Sequence, residues 1–209
     1  MHLMKSVLIF GVLLSPLTHS THAFAATDEA HANWPCVQRR VPSISAATMW
    51  VEPPLNVERE NEWRNDKDLS RLVRRLALRR VSIEEASKLI EEFAKPLSDE
   101  ERLEKLPFVF QGLLQSINKE RLAIIRGIER YTVKQRELAD DIRQSRAELE
   151  KIIANTKDKT TRAQAQQTLD WQTRIHRDRE KSLEYVCESP TLLEQRLFDL
   201  ARELQYKLP

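Results

Sequence analysis

Few side chains in this sequence are both chemically capable and spaced to cooperate. Cys36 and Cys187 are the only thiols. His176 and Glu180 stand four apart, which on a helix would set an imidazole beside a carboxylate able to orient it as a general base. No Ser, Thr or Cys nucleophile is evidently presented beside that pair, so a structural helix-face histidine is the expected reading. The carboxylate pairs Asp140-Asp141, Glu91-Glu92 and Glu58/Glu60 are sequence neighbours. On a helix such neighbours diverge and do not converge on a substrate or cation. Neither His31 nor His176 stands at ligand spacing from a cysteine, and no C-x-x-C or C-x-x-C-H motif is present. The three glycines, Gly11, Gly112 and Gly127, are too far apart to cradle a phosphate. The residues therefore lead us to expect no catalytic, cofactor-binding or metal-ligating set.

The first 25 residues carry a different signal. Lys5 precedes the apolar run Val7 to Leu14, Pro16 closes it, and Ala23-Phe24-Ala25 places small residues at the last and third-last positions. That is the pattern of a secretory signal peptide. The run is shorter than the roughly 20 apolar residues that cross a bilayer, and no later segment reaches that length. Cleavage after Ala25 would remove 25 of the 209 residues and one base, leaving 184 residues with 33 basic and 32 acidic side chains. So small a net charge supplies no strong long-range pull toward nucleic acid or an anionic membrane. The pairs Arg39-Arg40, Arg74-Arg75 and Arg79-Arg80 read as solvated surface balanced by acids elsewhere. An exported, soluble protein is expected, and the absence of any Asn-x-Ser/Thr sequon favours a bacterial periplasm.

Export decides how the cysteines are read. Two thiols in an oxidising compartment most often pair, so a Cys36–Cys187 disulfide is expected. It would tie an irregular N-terminal segment to the end of a late helix. For a loop of about 150 residues the chain-entropy model sets an upper stabilisation of about 5 kcal/mol.

The elements that must position these groups are helical. Ala, Glu, Leu, Arg and Lys are abundant, and so few glycines speak against an all-β chain with its frequent tight turns. After the leader, residues 26–64 form an arm with Trp34, Trp50 and Trp63 and with Pro35, Pro42, Pro53 and Pro54, which favour extended backbone. The arm either wraps its own helices or offers Trp34, Met49 and Trp50 to a partner. Residues 65–106 read as a base of short helices: Leu69, Leu72, Val73 and Leu76 recur at helical spacing after a cap at Asn65 or Asp66. Ser82 then opens a helix through Ile83, Ala86, Ile90 and Phe93, and Ser98-Asp99-Glu100-Glu101 opens a short turn before Pro107.

From Pro107 to about Asn155 a heptad seam runs without a proline. It comprises Phe110, Leu114, Ile117, Arg121, Ile124, Ile128, Tyr131, Gln135, Leu138, Ile142, Ser145, Leu149 and Ile152. A helix of about 48 residues is on the order of 70 Å long and needs a partner along its length. The polar link 155–159 and a second stripe through Ala165, Leu169, Gln172, Ile175 or His176, Arg179, Leu183 and Val186 supply one as an antiparallel hairpin over residues 107–187. Gly112 and Gly127 inside the first helix imply either close approach of a neighbour or a kink. Residues 188–209, opened by Ser189-Pro190, read as a last helix that returns to pack on the base. The fold class expected is all-α: an elongated, coiled-coil-like helical hairpin on a small helical base, with an extended Trp- and Pro-bearing N-terminal arm.

A chain so built is expected to be a non-enzymatic interaction module, an adaptor or assembly factor for protein partners in the cell envelope. The polar seam residues Arg121, Gln135, Gln172 and Arg179 are candidate partner contacts, because burial against each other would carry a cost; snorkelling to water is the other outcome. A holdase that cradles unfolded exported chains is a second reading, and a helical enzyme or ligand binder with a pocket at the base a third.

Overall fold

The computed structural model describes residues 33–209. Residues 1–32, which carry the signal-peptide reading and His31, lie outside the described residues. Four helices follow the arm: α1 (Lys67–Leu76), α2 (Ile83–Ala94), α3 (Asp99–Asn155) and α4 (Lys159–Gln205). No strand occurs among the described residues. The described part of the arm, residues 33–64, contains only two single helical turns, Ala46–Thr48 and Glu62–Arg64.

Each helix begins where a side chain can satisfy its first free amides. Asp66 accepts from the amides of Asp68 and Leu69 at 2.8 and 3.0 Å, and Ser82 accepts from Glu85 at 3.1 Å. A reciprocal capping box joins Ser98 and Glu101 at the start of α3. Asp158 caps α4 through the amides of Thr160 and Thr161, both at 3.1 Å.

Two prolines behave differently from the local expectation. The Ser98 box opens the long helix itself rather than a separate turn, so α3 has 57 residues, with Pro107 inside it. Pro190 likewise lies inside α4, a single helix of 47 residues, and residues 188–205 continue it instead of forming a separate returning helix. An internal proline forfeits one ladder hydrogen bond and crowds the preceding turn, a cost of about 3 kcal/mol. Both rings are placed where burial offsets that cost. Leu106 to Leu113 are buried without a break around Pro107, and Pro190 sits between buried Cys187 and Leu193.

The hairpin is antiparallel, and its seam follows the heptad register. Every seam position read in α3 is buried or half-buried. In α4 the stripe is less faithful, because Arg179 and Val186 are exposed while Cys187 turns inward. Cross-helix bonds fix the pairing: the Tyr131 hydroxyl donates to the Arg179 carbonyl at 3.3 Å, and Gln135 Nε2 to the His176 carbonyl at 3.2 Å. At the tip Arg162 Nη2 donates to the Ile153 carbonyl at 2.8 Å.

Burial is unequal along this hairpin. The core lies in its proximal half, where Val73 and Leu76 of α1, Ile90 of α2, Phe110, Leu113 and Ile117 of α3 and Leu193, Leu197, Leu200 and Leu204 of α4 meet. Beyond Ile128 only Gln135, Leu149 and Leu169 are buried. Arg196 joins α4 to the α1–α2 turn by donating to the Leu76 and Val81 carbonyls, each at 2.7 Å. The Ser87 hydroxyl meets the Glu203 carboxylate at 2.5 Å, so the end of α4 does pack on the base as its leucine spacing implies.

The arm wraps its own helices. Asn118 binds both backbone groups of Ile44, at 2.8 and 3.0 Å. Trp50 stacks on Phe110 with ring centroids 4.6 Å apart, and its Nε1 donates to the Pro53 carbonyl. Gln205 donates to Met49 and Gln111 to Asn56. The Trp63 indole donates to Gln115 at 3.1 Å. Cys36 and Cys187 form the expected disulfide, with Cα atoms 5.6 Å apart.

The two helical glycines separate cleanly. A Cβ at Gly112 would stand 2.8 Å from a Val73 methyl and 2.9 Å from the Trp63 ring, so this glycine admits α1 and the arm to the surface of α3. At Gly127 a Cβ would meet nothing within 4 Å. Gly127→Ala is therefore expected to stabilise the protein by up to about 1 kcal/mol, and Gly112→Ala to destabilise it by about 1–3 kcal/mol through overpacking. Thermal denaturation of the two variants checks both signs. Replacing both cysteines by serine should lower stability by at most about 5 kcal/mol, and a melting temperature unchanged by reductant would contradict the clasp.

Candidate functional site

The structure sorts the candidate partner contacts by burial. Met49 and Trp50 are 8% and 5% exposed and belong to the core, so they are not a docking surface. Trp34 is half-buried and its indole donates to the Gln38 carbonyl at 2.7 Å, which holds the arm's own turn beside the disulfide. The bulky arm residues are covered by this chain because each has a helix face of its own within reach.

Arg121 and Gln135 are likewise internal. Arg121 is 2% exposed; its Nε donates to the Pro190 carbonyl at 3.0 Å and its Nη2 to Glu194 at 3.2 Å. Burial pushes the guanidinium pKa down from its ordinary value, and the Glu194 carboxylate opposes that shift. Arg121 therefore bridges the two helices at the proline, one turn from Cys187. Gln135 spends its amide on the His176 carbonyl while its Oε1 is buried with no protein partner. Gln172 is half-buried with its Oε1 similarly placed. Arg179 alone of the four polar seam residues points to solvent.

His176 Nδ1 lies 3.5 Å from Glu180 Oε2, as their spacing implies. No group of three or more His, Cys, Asp or Glu side chains among the described residues is arranged to hold a metal ion.

A surface outside the seam has the composition of a contact patch. From Ala163 to Leu169 the chain carries no charged residue, although 32% of the whole sequence is charged. Ala163, Gln164, Gln166, Gln167 and Thr168 are exposed, and Trp171 follows at 63% exposure. Gln164, Gln167, Thr168, Asp170 and Arg174 line a shallow groove with that indole. Interface centres are depleted of charge and enriched in aromatic anchors, and an exposed tryptophan beside an uncharged stretch fits that description. Seam reading passes over Trp171 because it falls between Leu169 and Gln172, out of register. The signal that finds it is the coincidence of a charge-free stretch with an off-register tryptophan.

The fold and its surface thus define a disulfide-clasped, all-α hairpin protein. No protein-family model matches the chain, and no curated protein or solved structure shows significant similarity to it. No helix among the described residues is long and apolar enough to cross a membrane.

Because Gln135 contributes a buried, unpaired oxygen, Gln135→Leu is expected to raise stability by about 1 kcal/mol. Arg121→Ala, which opens a cavity and removes the bridge at Pro190, should lower it by about 2–4 kcal/mol. Denaturant titration distinguishes these internal roles from partner contacts, which would leave the isolated protein's stability unchanged.

Proposed function

We infer that the protein is a non-enzymatic interaction module, an adaptor or assembly factor for an envelope complex in the bacterial periplasm. The single observation that carries this reading is the charge-free stretch of α4 over residues 163–169, with exposed Trp171 two positions beyond it. It lies on the half of the hairpin that neither the arm nor α1 and α2 touch, and its amide and hydroxyl side chains can each donate and accept toward a partner backbone. The strip is already helical, so little backbone order is lost when it is engaged. The Cys36–Cys187 bond supports an oxidising compartment, and the leader-like residues 1–25 support export.

Engagement through a central tryptophan makes a sharp mutational statement. Trp171→Ala should weaken partner binding by about 2 kcal/mol or more, roughly thirtyfold, with an unchanged melting temperature because the side chain is outside the core. The measurement is recovery of the partner from an envelope extract by wild type and by Trp171→Ala, followed by titration of that partner. Equal recovery and equal affinity would remove α4 as the binding face.

A further inference from the structure

Five arginines fall within ten residues where α1 ends and turns toward α2: Arg71, Arg74, Arg75, Arg79 and Arg80. All are exposed. Over residues 67–80 there are six basic side chains against one acid, in a chain whose formal net charge is only +2. Compensation is partial. Arg71 pairs with Asp68 and Arg75 with Glu85, each at 3.1 Å. Arg74 reaches only the Ser70 hydroxyl, at 3.2 Å, and neither a hydrogen bond nor an ion pair engages Arg79 or Arg80.

The turn that presents them is held from behind. Leu78 donates to the Arg75 carbonyl and accepts from the Val81 amide, while Arg196 of α4 binds the Leu76 and Val81 carbonyls. Leu78 is 40% exposed and lines one shallow groove with Arg71, Arg74, Arg75 and Arg80, together with Val81 and Glu85, the partner of Arg75. An aliphatic side chain is thus displayed among guanidinium groups on a fixed turn.

We propose that this turn docks the protein on an anionic phospholipid surface, its guanidinium groups on lipid phosphates and Leu78 in the headgroup layer. A guanidinium fork matches phosphate geometry better than a point charge does. Juxtaposed basic residues add their attractions to an anionic leaflet, and partial insertion of an apolar side chain adds to them. A protein partner would have to offer acids in register with three separate uncompensated arginines. A bilayer presents phosphate at every headgroup, so a shallow, open groove is sufficient.

The test is co-sedimentation of the disulfide-intact protein with vesicles of phosphatidylcholine, alone or mixed with phosphatidylglycerol. Binding to the mixed vesicles only, and its loss as salt shortens the Debye length, is expected. The triple variant Arg74→Gln/Arg79→Gln/Arg80→Gln should bind about tenfold more weakly or worse. The triple variant Arg143→Gln/Arg174→Gln/Arg177→Gln, with the same loss of charge on the hairpin, should bind like wild type. Leu78→Asn should bind less tightly than wild type at every salt concentration, a readout that stands even if the first triple variant fails to fold by circular dichroism. Absence of binding to mixed vesicles, or equal weakening by the two triple variants, overturns the proposal. Binding to polyglutamate as tight as to vesicles, with no effect of Leu78→Asn, overturns it in favour of an acidic protein segment.

Discussion

A helix of 57 residues cannot hide an apolar stripe by itself, and everything else in this molecule answers that constraint. At about 1.5 Å per residue α3 is on the order of 85 Å long. Its proximal half is covered from several sides by the arm, α1 and α4. Its distal half has α4 alone. The two halves consequently differ in how they are held: leucines, isoleucines and aromatics below, and a sparse seam with Gln135, Leu149 and Leu169 above. Local opening free energies follow buried apolar contact, so the hairpin tip is the softer part and the base the harder one. A rigid foot thus carries a more yielding limb.

Much of this was legible in the residues. The α3 seam was readable over its whole length because a period of three and four survives polar interruptions, and all thirteen positions turned inward. The disulfide was readable from compartment logic and the count of two thiols. The prolines were not, since the rule that proline ends a helix is local, whereas Pro107 and Pro190 are retained by burial among residues distant in sequence. Of the polar seam residues, Arg121, Gln135 and Gln172 turn inward as their register implies while Arg179 does not, and the register says nothing of their partners. Arg121 finds the carbonyl of the very proline that was expected to break the helix, a coincidence of two helices that no single-helix pattern encodes.

Trp171 and the arginine turn show the complementary limit. Periodicity selects what points inward and is silent about what points outward. A residue outside the seam gains meaning only against its surroundings, here an uncharged stretch on a densely charged hairpin. The pairs Arg74-Arg75 and Arg79-Arg80 read as balanced surface for a related reason: an average over the chain erases a local excess of five basic charges over residues 67–80.

The clasp has a consequence in time as well as in space. Cys36 is separated from Cys187 by 151 positions, and the arm's partners Asn118, Phe110 and Gln205 all come later in the chain. On the export route proposed above, with the chain entering N-terminus first, the first cysteine waits, reduced and unclasped, until nearly the whole polypeptide has arrived. Bond formation between these two sulfurs is then a covalent record that the last helix has been delivered. A chain interrupted anywhere before Cys187 would carry instead an orphan thiol on an uncovered, tryptophan-bearing segment, chemically marked as incomplete.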